Sequence, residues 1–192
     1  MENQQPNYIT SAKRQFLYYK TLGEKAIAQL NEEQLFERQD EDSNSIAMIV
    51  NHLCGNMLSR WTDFLTSDGE KDWRDRDSEF EDVLKTKKEV SDAWEKGWKC
   101  LFEALENLAE SDLAQIIYIR NEGHTVMEAI NRQMAHYPYH IGQIVFCAKM
   151  LKSSAWESLS IPRNASRNYN DAKFSADKAM RHFTEEELKR IK

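Results

Sequence analysis

Apolar residues recur at three- and four-residue steps along four long stretches of the chain, the period of helices that bury one face. The first predicted helix runs from about Tyr8 to Leu30, with Phe16, Leu17, Leu22, Ile27 and Leu30 on its buried stripe. Asn31-Glu-Glu-Gln-Leu then reads as the capped start of a short helical turn. The second helix starts at Ser43 or Ser45 and continues to about Leu65, through Ile46, Ile49, Val50, Leu53, Met57, Leu58 and Trp61; Ser67-Asp68-Gly69 ends it. A third spans roughly Asp82 to Leu108, with Val83, Leu84, Val90, Trp94, Trp98, Leu101, Phe102 and Leu105 on one broad face. The fourth runs from about Thr125 to Leu151.

The pattern breaks in three places. Residues 70–82 mix charge with Trp73 and Phe80, which predicts a loop structured by those two rings. Ala114 to Ile119 is β-branched and aromatic and is followed by Asn121-Glu-Gly123, so a short strand or hairpin is expected before the last long helix. After Lys152 the chain is rich in Ser, Asn and Arg, with a small capped helix predicted from Thr184. The expected fold is all-α. Residues 1–152 form a four-helix bundle, and residues 153–192 are an extension packed on it or trailing from it. Only 6 glycines and 3 prolines are present, too few for the turns of an all-β protein.

A length of 192 residues suits one domain with a real core. A net charge of −6 argues against nucleic acid as a partner. No apolar run reaches the ~18 residues of a membrane span, and Met-Glu-Asn-Gln-Gln-Pro at the start lacks the features of a signal peptide. Cys54, Cys100 and Cys147 are odd in number and have neither disulfide-like nor zinc-finger spacing, which points to the cytoplasm.

Chemistry enters with the histidines. His136 and His140 are four residues apart, on one helix face and one turn from each other. Gln143 and Cys147 continue their stripe, and Ser45, Ile49, His52, Asn56 and Ser59 make a comparable one on the second helix. Such stripes face a bundle interior, where buried imidazoles need a metal, a hydrogen-bond partner or water. A histidine pair alone is more often incidental than metal-binding; His52 on another helix brings the metal reading level with the bland one. His124, beside a glycine turn, reads as a cap or surface residue, and His182 as a solvated one. Cys54 sits about 200° around the helix from His52 and cannot share an ion with it, whereas Cys147 is kept as a fourth-ligand candidate. Trp61 and Trp73 are the tryptophans expected nearest a pocket. Pro138, between the paired histidines, is expected to kink its helix and help aim them.

With His52 inside Ile-Val-Asn-His-Leu and the pair inside Met-Ala-His-Tyr-Pro-Tyr-His-Ile-Gly-Gln-Ile, residues 8–152 resemble the DinB/YfiT-like metalloenzyme superfamily. The runs from His52 to Leu65 and from Trp156 to Arg163 resemble an uncharacterised bacterial subgroup of it. The resemblance implies a four-helix bundle, with metal ligands at His52, His136 and His140. It also implies zinc or nickel as the ion, a homodimer, and relatives that include bacillithiol S-transferases and mycothiol-dependent maleylpyruvate isomerases. The expected function is a divalent-metal-dependent enzyme that activates a thiol or water at an open three-histidine centre, with transferase or hydrolase-like chemistry on a small molecule or low-molecular-weight thiol. Asn56, Tyr139 and Gln143 are candidates to orient ligands or substrate; no general base is assigned. The alternative is a non-catalytic, dimeric metal-binding protein in which the ion stabilises the fold. Surplus aromatic residues on helices one and three (Phe16, Tyr18, Tyr19, Trp94, Trp98, Phe102) add to the case for a homodimer.

Overall fold

Each long helix begins where a side chain can satisfy its first free amides. The computed structural model describes residues 7–191; the reading of the first six residues as lacking a signal peptide lies outside the described residues. Helix α1 (Tyr8–Ala28) is capped by Asn7, and α2 (Glu32–Phe36) by a reciprocal box of Asn31 and Gln34. Ser45 accepts the amide of Met48 to open α3 (Ile46–Trp61). Thr86 with Glu89 opens α4 (Lys87–Glu106), and Thr125 with Glu128 opens α5 (Val126–Lys152). The Thr86 box starts α4 five residues later than the apolar pattern suggests, leaving Val83 exposed rather than on the buried face. Helix α3 stops at Trp61, short of Leu65. Asp63 takes a positive φ of 47°, and its carbonyl accepts the amides and hydroxyls of Thr66 and Ser67.

Among the described residues the structure is mostly helical. Helix α1 packs on α5 and α4, and α3 packs on α4 and α5, so the four long helices close around one core. At its centre Phe16, Trp98 and Tyr137 meet with ring centroids 5.8–6.4 Å apart, one ring from each of α1, α4 and α5. Helix α3 joins them through polar atoms: the Trp61 indole N–H donates to the Tyr137 hydroxyl at 2.9 Å, which donates to Asn56 Oδ1 at 3.2 Å. Tyr137 is fully buried, so this chain fixes the rotation of α5 against α3 and turns the neighbouring His136 toward His52.

The aromatic residues that suggested a dimer face are largely spent inside one copy. Phe16, Trp94 and Trp98 are core residues, and Tyr18 meets Phe183 of the tail at 5.8 Å. No helix among the described residues is long and apolar enough to cross a membrane.

Before α5 the chain forms a hairpin of β1 (Ile116–Ile119) and β2 (Glu122–Thr125), antiparallel, with Tyr118 opposite Gly123. Its two-residue turn, Arg120–Asn121, has φ of 56° and 61°, the signature of a type I′ turn. The Asp68 carboxylate accepts both turn amides, at 2.8 and 2.9 Å, and Gly69 donates its amide to Tyr118 O. The loop after α3 is thereby clamped to the hairpin.

The tail holds more helix than expected: α6 (Ser166–Phe174) as well as α7 (Thr184–Arg190). Helix α7 lies against α1 through the Arg14–Glu185 ion pair and the buried Thr184. Thr184 is the first residue of α7 rather than its cap. His182, expected to be solvated, is half-buried, and its ring nitrogens bond the Ser11 and Thr184 hydroxyls at 3.0 and 2.8 Å.

Candidate metal centre

His52 on α3 and His136 and His140 on α5 come together, with one nitrogen from each within 4.8 Å of the others. His136 Nε2 stands 3.4 Å from His52 Nε2 and 3.0 Å from His140 Nε2. Two nitrogens held by one ion at ~2.0–2.1 Å stand roughly 2.9–3.4 Å apart for angles from a right angle to tetrahedral. Both separations from His136 fall in that range, and the His52–His140 pair lies within 4.8 Å.

The opposite side of each ring is equally organised. His52 Nδ1 meets Glu79 Oε2 at 2.8 Å, His136 Nδ1 meets Gln133 Oε1 at 3.2 Å, and His140 Nδ1 meets Gln143 Oε1 at 2.8 Å. A carboxylate or amide oxygen only accepts, so each Nδ1 carries the proton and donates it. Each Nε2 is then a bare lone pair, and three lone pairs converge. Burial and the neighbouring His140 and His52 push His136 down to about 3, and burial lowers His140 as well. Protonation near neutral pH therefore does not relieve the repulsion on α5, whereas a cation would.

Glu79 anchors the arrangement. It is 5% exposed, on a single turn of 3-10 helix (Ser78–Phe80) packed on α3. Arg74, itself buried, grips its two oxygens from Nε at 2.7 Å and Nη2 at 2.9 Å. Burial opposes ionisation of Glu79, but the bonds from His52 and Arg74 outweigh it and hold the carboxyl below its ordinary range. Gly55 makes room for it: a Cβ there would lie 2.2 Å from Glu79 Oε1. Phe80 stacks on the His52 ring, centroids 4.7 Å apart, so this loop ring does pack as expected. Trp73 does not; it is 60% exposed and lies away from the histidines.

Of the other expected residues, Gln143 supports His140, while Asn56 and Tyr139 line the cavity in front of the histidines. Cys147 lines a separate groove with Arg38, Phe146 and Met150 and is not grouped with the three rings. Burial pushes the Cys54 thiol up to about 11, which keeps it protonated and inert. His124 is a strand residue opposite Ile117 with a buried, unpartnered Nε2; the cap beside it is Thr125. Helix α5 runs unbroken through Pro138. Sequence reasoning does not single out Glu79, Arg74 or Gln133. Gln133 alone left a signal, one turn before His136 on the same stripe.

The depressed histidines carry a pH dependence. Without metal the folded chain binds fewer protons than the unfolded one, whose histidines titrate near 6.5. Stability is then fully present above about pH 6.5 and is lost as pH falls from there toward the folded value. The melting temperature of metal-free protein should fall between pH 7 and pH 5, and His136→Ala should flatten that fall. An equal slope in the variant would contradict the assignment.

The chain belongs to the family described as protein of unknown function (DUF1572), which it matches over residues 3–165. That span takes in all the residues of the centre and ends before α6. No curated protein and no solved structure matches the chain.

Proposed function

We propose that this DUF1572 member is a metal-dependent enzyme of the DinB/YfiT-like, four-helix-bundle type, with one zinc or nickel ion held by His52, His136 and His140. The observation that carries the reading is the convergence of three Nε2 atoms whose Nδ1 partners are all side-chain oxygens. Such an ion, with three protein ligands, leaves coordination open and lowers the pKa of a thiol or water that occupies it. Glu79, Gln133 and Gln143 hold the three rings in one tautomer and orientation. The rings open on a cavity of about 340 Å³, the size of a small-molecule site. Tyr139, exposed at its mouth, stands where it can orient what enters.

A second reading, in which the ion only ties α3 to α5 and stabilises the fold, is favoured by the burial of His52 and its link to Arg74 through Glu79. One experiment separates the two. Metal-loaded, metal-stripped and His136→Ala proteins are assayed for transfer of low-molecular-weight thiols to a panel of electrophiles, with melting followed in parallel. Metal-dependent transfer that His136→Ala abolishes supports the enzyme. A large loss of stability on stripping, with no transfer in any form, would leave only the structural role.

A further inference from the structure

The walls of the cavity beside the histidines carry one sign of charge. Five of the chain's eleven arginines line it, and among the described residues no lysine, aspartate or glutamate does, in a protein whose net charge is −6. Arginine's planar fork matches carboxylate and phosphate oxygens in a way that a lysine point charge does not.

The five divide by burial. Arg60 and Arg74 are buried, and their charges are answered from behind by Glu70 and Glu79. That answer is incomplete: Arg60 donates to Gly69 O and to Glu70 at 2.8 Å, but its Nε–H is buried without a partner. Arg76, Arg120 and Arg132 are exposed at the rim. Arg120 shares Glu70 at 3.2 Å, where the hairpin turn clamped by Asp68 places it. Arg76 lies over the Phe80 ring, 5.3 Å from its centre, and that ring stacks on His52. Arg132, one turn before His136 on α5, has no ion pair among the described residues. Five guanidinium groups thus stand against two carboxylates, both lying behind the wall.

We propose that this cavity binds the anionic oxygen group, a carboxylate or a phosphate, of a small substrate, with Arg76, Arg120 and Arg132 as its ligands. The substrate's reacting end then faces the histidines. This assignment of that end rests on the metal reading; the anion site rests on the arginines.

The test is calorimetric titration of inorganic phosphate and of succinate into metal-free and metal-loaded protein, repeated for Arg132→Gln, Arg76→Gln and the corresponding lysine variants. Binding of one probe in both metal states, weakened about tenfold by each glutamine variant and less by lysine, is expected; it should weaken further in high salt. The preferred probe identifies the group as phosphate or carboxylate. Absence of binding by either probe, or binding indifferent to both glutamine variants, overturns the proposal. Binding only in metal-loaded protein and indifferent to the arginines would mean that the anion sits on the ion, so this proposal fails while the metal reading stands. Arginine-dependent binding in a protein that takes up no metal would do the reverse.

Discussion

Alanine at His52, His136 or His140 should abolish stoichiometric metal uptake, each variant losing at least about 100-fold in affinity. The size follows from the count of donors. Loss of an outer hydrogen-bond partner typically costs 10–100-fold, and loss of a direct ligand removes a bond to the ion itself. The three variants should part company without metal. His52 is 4% exposed and bonded to Glu79, so His52→Ala opens a void beside a buried carboxylate and lowers stability. His136 is a desolvated ring held neutral among two other imidazoles and the Arg60 and Arg74 charges. Removing it relieves that cost, so metal-free His136→Ala should hold its stability better at mildly acid pH. Metal analysis of purified proteins, with melts at pH 5 and 7, checks both halves. Full occupancy in all three variants would remove the centre.

The second large effect belongs to Glu79, a residue with no ligand role. Glu79→Ala removes the acceptor that sets the His52 tautomer and also strips buried Arg74 of its bidentate partner. Breaking a buried pair from one side costs ~3–5 kcal/mol. Arg74 retains Glu70 at 3.3 Å, which places the expectation at the lower end, about 3 kcal/mol. Metal affinity should fall 10–100-fold in the same protein. Glu79→Gln, which keeps an oxygen for His52, should recover part of the affinity and less of the stability. Denaturant unfolding and metal titration of both variants provide the check. A Glu79→Ala protein with unchanged stability and affinity would show that the carboxylate is incidental.

These two predictions differ in how far they could be read from sequence. The three histidines stand out because imidazole is a metal ligand and helical spacing maps position to face, so His136 and His140 share a side. The long helices were legible for the same reason, and their starts are written in Ser45, Thr86 with Glu89, and Thr125 with Glu128. Glu79 was not legible. It lies in a segment crowded with Asp, Glu and Arg, where periodicity carries no information, and only the fold shows which carboxylate turns inward. Gly55 is a companion case, since a glycine inside a helix reads as a propensity cost until the side chain that needs its space is known. Trp73 misled because an aromatic ring in a loop is normally a packing residue, whereas here its neighbour Phe80 takes the place against His52. The arginines come from α3, the following loop, the hairpin turn and α5, and no local pattern could have gathered them.

The central claim is that three imidazoles from two helices hold one ion. X-ray absorption at the metal edge of protein purified without an affinity tag tests it most directly. About one zinc or nickel per chain is expected, with three imidazole nitrogens at ~2.0–2.1 Å and oxygen or sulfur atoms completing the shell. A spectrum of oxygen ligands alone, or an ion that keeps an undiminished three-imidazole shell in His136→Ala, would contradict it.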